Sequence, residues 1–408
     1  MRLYRLENPV QRYSWGSING LRDCLGIPNE GGGPLAEVWF GAHPKAPSVA
    51  LLEGGRRRLD TLVDEEEAAI LGAEVLGRFG PGLPFLLKAL SAASPLSIQA
   101  HPAKRKAERG FDRENLAGIP LDAPDRNYRD RNHKPEMVMA LTSFTGLFGF
   151  RPIDEIVANI RLAAPDDAAR IIGRLEKNPG RMELSVFFYS LLSGDAKAKA
   201  ELLARSRLRI EERLLAGGLS PKEEEILGWT LRLGELFPGD IGAFAPLMLN
   251  LLTLEPGESL YVAPGELHAY LKGEALELMA NSDNVIRGGL TSKHVDLPEL
   301  ISVLSFDSER PKPFKAEGLS SEEELFPLLA PDFRLSRIRT GDDRLRRRPR
   351  GPEIILCAEG RAVLEDAEGS FVLARGEAAF VRADASEYSI SGEALLYLSF
   401  VPPPEIRD

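Results

Sequence analysis

The chain has 408 residues, 43% of them apolar and 27% charged, with a formal net charge of -10. One hydrophobic core stops growing near ~250–300 residues, so this length asks for two or three domains, and the globular composition excludes a disordered or fibrous chain. No basic face is available for sequence-independent nucleic-acid binding, no run approaches the ~18 apolar residues of a membrane span, and Met1-Arg2-Leu3-Tyr4 opens no apolar signal segment.

A cytoplasmic protein is expected, with neither nucleic acid nor membrane among its partners. Two cysteines, Cys24 and Cys357, supply neither a disulfide framework nor a cysteine-based zinc finger.

From the N-terminus, short apolar runs are broken at Gly31-Gly32-Gly33-Pro34, Gly54-Gly55 and Gly80-Pro81-Gly82, which predicts many short strands and turns. In the strand-like segment Pro95–Pro102, period-two geometry puts Ser97, Gln99 and His101 on one face. An amide oxygen and an imidazole could share a metal there. The alternative is a strand-end histidine capping a loop, since glutamine lies outside the usual zinc ligands. In Asn132–Leu141, Pro135 starts a strand and Lys134, Glu136 and Val138 share a face. A carboxylate on so apolar a strand must be paired, metal-bound or at a rim, and read alone it suggests a rim salt bridge.

The pattern changes after Arg151-Pro152. Ile153, Ile156, Val157 and Ile160 recur at the spacing of one buried helix face, and Ser220-Pro221 reads as an N-cap followed by the first helical residue. A helical insertion of roughly 90 residues is predicted. Strands return at 247–265, and His268 follows a strand and a turn, at a barrel mouth where sites are built. Beyond it come a turn at Asp283-Asn284 and a guanidinium, Arg287, beside Gly288-Gly289. Arg287 with Lys293 suits an anionic sugar or a phosphate, or else marks a surface loop with a structural arginine. Residues 306–325 read as a charged loop, and Arg346–Arg350 as a solvated linker.

Residues 254–276 lie over 373–395 without a gap: Gly257-Glu258 meets Gly376-Glu377, and Gly273-Glu274-Ala275-Leu276 meets Gly392-Glu393-Ala394-Leu395. One supersecondary unit used twice predicts two β-barrels or jelly rolls. His268 faces Glu387 in this overlay, so the second copy keeps the fold without a histidine site. Of the five histidines, His43 and His133 read as structural or supporting, and His294 lies outside the motif. Taken together, Gln99, His101, Glu136 and His268 make a mixed nitrogen and oxygen metal site with room for water or substrate, and Glu277, Lys134, Arg287 and Lys293 add charge around it.

These residues, with Gln11–Ser17, Ala36–Lys45, Leu83–Lys88, Pro238–Gly242 and Ser282–Thr291, give a chain that resembles the type I phosphomannose isomerases of the cupin superfamily. The resemblance implies a mainly β protein with two cupin-type jelly rolls and an inserted helical domain. Residues 1–152 and 247–305 would form the metal-binding domain, 153–246 the insertion and 306–408 the second cupin. It also implies one zinc ion (Zn2+) per monomeric chain, held by Gln99, His101, Glu136 and His268. Arg287 would be catalytic, with substrate contacts at Ser97, Lys134, Asp283 and Lys293. The activity implied is interconversion of mannose 6-phosphate and fructose 6-phosphate through an enediol. Glu277 is the expected base, its pKa raised by an apolar wall of Leu276, Leu278 and Met279. Ala103 and Ser292 depart from the family pattern, and Ser292 leaves the pose of Lys293 open. A non-catalytic sugar-phosphate-binding protein and a metal-dependent oxygenase are the other classes that fit the scaffold.

Overall fold

The structure, a computed structural model, describes residues 1–341 and 343–404. It has two antiparallel sheets, of 10 and 12 strands, with five helices lying between residues 153 and 236. The mainly β class with a helical insertion is therefore as expected. Among the described residues no helix is long and apolar enough to cross a membrane.

The 13-residue strand His268–Ala280 is the spine of the smaller sheet. Its first half pairs with Ile98–Ala100 and Phe144–Phe150, and its second half with Phe85–Ala92 and Glu136–Ala140. Gly273 lets one strand serve both halves. Its φ is 113°, and a Cβ there would meet Ser143 O at 2.6 Å, so only glycine fits the bend.

Strand parity then sorts the side chains. Ile98 and Ala100 are buried against the helical insertion, in a core that also holds Ile156, Ile160, Phe188 and Ile226. Leu276, Leu278, Met137 and Met139 face a second core shared with Leu356 and Phe380 of the larger sheet. Each such side chain contributes roughly 1.5–3 kcal/mol by leaving water. The intervening residues Gln99 and Glu277 are left to face a cavity.

The helix Pro221–Leu236 begins with a capping box between Ser220 and Glu223, with Pro221 in the first turn, as the sequence predicts. Ile156 and Ile160 are fully buried, and Ile153 and Val157 pack beside them.

The repeat is visible in the backbone. Gly257 and Gly376 have φ of 85° and 84°, and Gly273 and Gly392 of 113° and 95°. Strands Ser259–Val262 and Ala378–Val381 occupy matching positions. In the second copy Glu387 is exposed and pairs with Arg346 at 3.5 Å, while Ile355, Leu364, Ala379 and Leu396 pack together in a core of their own.

Three features differ from expectation. Strands Leu3–Glu7, Val49–Leu52 and Gly55–Arg58 join the larger sheet, through Leu3–Glu7 pairing with Ala378–Val381, so the N-terminal segment supplies strands to both sheets. Periodicity along the chain specifies a strand's faces but not its partner. The early segment also contains two helical stretches, one of short helices of five to seven residues at 59–79 and the other the charge-rich Lys104–Leu116. The second of these packs through Gly110, where a Cβ would strike the Tyr128 ring at 2.4 Å. Finally, Arg346–Arg350 is no solvated linker. Leu345–Arg347 is a strand, and the Arg347 guanidinium is buried 2.7 Å from Glu323.

Candidate metal centre

Three strand ends converge on one point. His101 follows Ile98–Ala100, Glu136 begins Glu136–Ala140, and His268 begins the spine. All three are buried, and one donor atom from each lies within 4.8 Å of the others. His101 Nε2 is 3.3 Å from Glu136 Oε1, and His268 Nε2 is 3.2 Å from Oε2.

The far side of each imidazole fixes its tautomer. His101 Nδ1 donates to Asn284 O at 2.6 Å and His268 Nδ1 to Glu266 O at 3.1 Å, because a carbonyl only accepts. In the neutral rings both Nε2 lone pairs therefore point at a carboxylate. Among the described residues neither Nε2 nor either Glu136 oxygen makes a hydrogen bond of good geometry, the Lys134 ammonium near Oε1 being an ion-pair contact. Buried polar atoms are left unpartnered only where something else satisfies them. Two imidazole nitrogens and a carboxylate are a donor set for a divalent transition metal, and the site fits one.

Burial, reinforced by Lys134, pulls His101 down to about 4 against the pull of Glu136, which leaves the ring neutral. Burial would raise Glu136, but Lys134 and His101 hold it well below the usual carboxylate range. Burial would lower His268, yet its contact with Glu136 raises it. Lys134 Nζ lies 2.8 Å from Glu136 Oε1, both side chains being buried. The pair is thus at the floor of the site, and the rim salt bridge suggested by the sequence is replaced by an interior one.

The floor opens into a cavity of about 690 Å³ lined by Ser97, Gln99, Lys134, Glu277, Asp283, Arg287 and Lys293. Strand register places Gln99 opposite His268 and, on its other edge, opposite Arg287. Every residue expected at the site thus reaches the metal centre or its cavity.

Glu277 is not walled as expected. Of the three expected wall residues Met279 lines the cavity with Glu277, but Leu276 and Leu278 point away into the core between the sheets. Instead Lys88 Nζ donates to Glu277 Oε2 at 3.0 Å and the Tyr270 hydroxyl to Oε1 at 2.8 Å. Lys88 sits opposite Glu277 in the strand register. Burial would lower it, but Glu277, Glu37 and Glu136 hold it above its ordinary value. Its charge lies 5.3 Å from the Trp39 ring, and Trp39 Nε1 donates to Glu37 at 2.6 Å.

Asp283 lies in an irregular segment, not the expected turn. Its carboxylate meets Lys45 Nζ at 2.9 Å and His43 Nε2 at 3.5 Å. Burial opposes that charge, and the contacts with His43 and Lys45 overcome it, so Asp283 stays far below its ordinary range. His43 therefore has the supporting place read for it. His133 instead meets Asp332 at 2.9 Å, away from the cavity. Sequence reasoning singled out neither Lys88, Tyr270, Glu37 nor Lys45 as functional. Lys88 had a visible signal, since a charge within Phe85-Leu86-Leu87-Lys88-Ala89-Leu90 needs a partner just as Glu136 does.

The mannose-6-phosphate isomerase of Salmonella typhimurium is 40% identical over 396 residues, which span 97% of this chain and 98% of that protein. The chain belongs to the mannose-6-phosphate isomerase family. The family description "Phosphomannose isomerase type I, catalytic domain" matches residues 3–153. The human mannose-6-phosphate isomerase is 37% identical over 324 residues, covering 75% of this chain and 73% of the relative. A crystal structure of a zinc-bound mannose 6-phosphate isomerase superposes with a TM-score of 0.88 at 39% identity, over 99% of this chain and 100% of that one. Membership of the isomerase family places a sugar-phosphate enzyme, not an oxygenase, on this scaffold.

Proposed function

We propose that the protein interconverts mannose 6-phosphate and fructose 6-phosphate, with one zinc ion held by Gln99, His101, Glu136 and His268. The observation that carries this reading is the buried His101, Glu136 and His268 donor set, whose facing atoms make no hydrogen bond, beside a cavity lined by Gln99, Lys134 and a second carboxylate, Glu277.

The reaction moves a proton from C2 of the open-chain aldose to C1 and the hydroxyl proton of O2 to O1, by way of an enediol. Bound zinc supplies Lewis acidity toward the oxygen on which charge develops. Glu277 is the base, and its two partners, Lys88 and Tyr270, fix the carboxylate so that its lone pairs are directed, a role typically worth ~10²–10⁴-fold. Lys88 also returns positive charge to the floor as the enediolate forms. Asp283, kept ionised by Lys45 and His43, accepts a sugar hydroxyl, and Ser97 and Lys134 contact substrate. Arg287, across from Gln99, stabilises the developing oxyanion.

The test of the function is a coupled assay of fructose 6-phosphate formation from mannose 6-phosphate by the zinc-loaded chain. No turnover by folded, zinc-loaded protein overturns the reading. Arg287→Ala is expected to lower kcat about 100-fold, in the range of one lost oxyanion donor, with zinc content unchanged. A rise in KM alone removes Arg287 from the chemical step.

A further inference from the structure

The cations of the cavity fall into two groups. One group is neutralised: Lys88 by Glu277 and Lys134 by Glu136 on the floor, at 3.0 and 2.8 Å, Lys45 by Asp283 at 2.9 Å and Arg126 by Glu114 at 3.6 Å. The remaining wall holds Arg129, Lys293 and, beside Gln99 in the strand register, Arg287, and among the described residues none of the three forms an ion pair with a carboxylate. Their charges oppose one another. Burial and then Arg129 lower Arg287, and burial, Arg287 and Arg129 lower Lys293. Three converging like charges, two of them partly buried, destabilise an empty site and become favourable once an anion sits among them.

Arg129 is built into this wall. Its Nη1 donates to Leu121 O at 2.8 Å and its Nη2 to Ala123 O at 3.4 Å. Two of five N–H groups are thereby used to aim the guanidinium, and three remain for a ligand. The backbone is fixed as well. The buried Asn284 side chain accepts from Arg129 N at 2.7 Å and Asp130 N at 3.2 Å, and donates to Asp130 O and Asn132 O at 2.9 and 2.8 Å. The carbonyl of this same Asn284 holds the His101 ring. One residue thus sets the distance between a metal ligand and the Arg129 loop. The neighbouring Arg126 also reaches the cavity, but it is spent on Glu114, Tyr128 O, Asn115 and Ile119 O.

We infer that Arg129 is a substrate-binding residue, whose free guanidinium N–H groups grip the phosphate of the sugar phosphate together with Lys293. This rests on the function proposed above and extends it. With the metal at the floor and the phosphate at the outer wall, C1 and C2 of a six-carbon chain lie at the reacting end.

The test compares Arg129→Met and Arg129→Lys in the full, zinc-loaded chain, reading KM for mannose 6-phosphate, kcat, and competitive inhibition by inorganic phosphate. Arg129→Met should raise KM and the phosphate inhibition constant together, about 10- to 100-fold, with a much smaller fall in kcat. Arg129→Lys should fall between, because lysine keeps the charge but loses the fork. KM and the phosphate constant both within about twofold of wild type would overturn the inference, as would a loss confined to kcat. Should Arg129→Met fail to fold, Arg129→Gln, which can still donate to Leu121 O, carries the same comparison. If the wild-type chain does not turn over mannose 6-phosphate, the proposed function fails on its own. Calorimetric titration of inorganic phosphate into wild type and variant then still reports on Arg129.

Discussion

His268→Ala is expected to remove zinc retention and isomerase activity together, with kcat/KM falling by ~10³-fold or more. Lewis-acid stabilisation of the developing charge is worth several kcal/mol, and each 1.36 kcal/mol is tenfold in rate. The geometry explains why the two losses travel together. His268 Nε2 faces one oxygen of Glu136 and His101 Nε2 faces the other, so removing either imidazole opens one side of a buried carboxylate. Lys134, 2.8 Å away, then remains as its close counter-ion. Chelation should give the same loss in the wild-type chain and zinc add-back should reverse it, whereas add-back should not restore His268→Ala. Zinc that binds only the folded state also stabilises it by mass action, so chelation should lower the wild-type melting temperature and leave that of His268→Ala unchanged. Metal analysis, the coupled assay and a thermal melt decide the matter. Undiminished turnover by metal-free protein removes the metal from the reaction.

Much of this centre is legible in the sequence because strand parity is local. Gln99 and His101 are two residues apart, and so are Lys134 and Glu136, so each pair faces the same way whatever the rest of the chain does. The glycines of the repeat are legible for a related reason, since a left-handed backbone position leaves its mark on residue type. The identity of partners is not local. Glu277 lies 189 residues from Lys88, and only the register of His268–Ala280 against Phe85–Ala92 shows that they meet. Two of the three residues of the supposed apolar wall around Glu277 failed on the same ground that revealed the ligands, Met279 alone lining the cavity. Leu276 and Leu278 differ from Glu277 by one residue and so face the opposite way. Arg129 stood outside any periodic element, and its placement depends on the Asn284 side chain 155 residues later. The helix at 104–116 was hidden by surface charge, and those at 59–79 by their length of five to seven residues, too short to establish a period.

Lys88→Met tests the floor of the cavity directly, and it is expected to destabilise the protein by about 3–5 kcal/mol as well as to cripple turnover. Lys88 and Glu277 are 7% and 4% exposed, so neither charge can turn to water when its partner is removed. Methionine fills the volume of the lysine stem and keeps contact with Trp39, which confines the change to the lost charge. Glu277 would retain only the Tyr270 hydroxyl as donor, with Glu37 close by as a second carboxylate on the floor. Adding Glu277→Gln should recover a large part of the stability. The amide carries no charge, and its oxygen can still accept from Tyr270. Activity should not recover, because an amide cannot take the C2 proton. Residues in contact couple strongly, so the double-mutant cycle should show an interaction energy in the ~0.5–3 kcal/mol range. Urea denaturation of the four zinc-loaded proteins measures the first expectation and the coupled assay the second. A Lys88→Met protein as stable as wild type would mean that the pair is solvated in practice. Recovery of turnover in the double variant would mean that Glu277 holds the floor together without moving a proton.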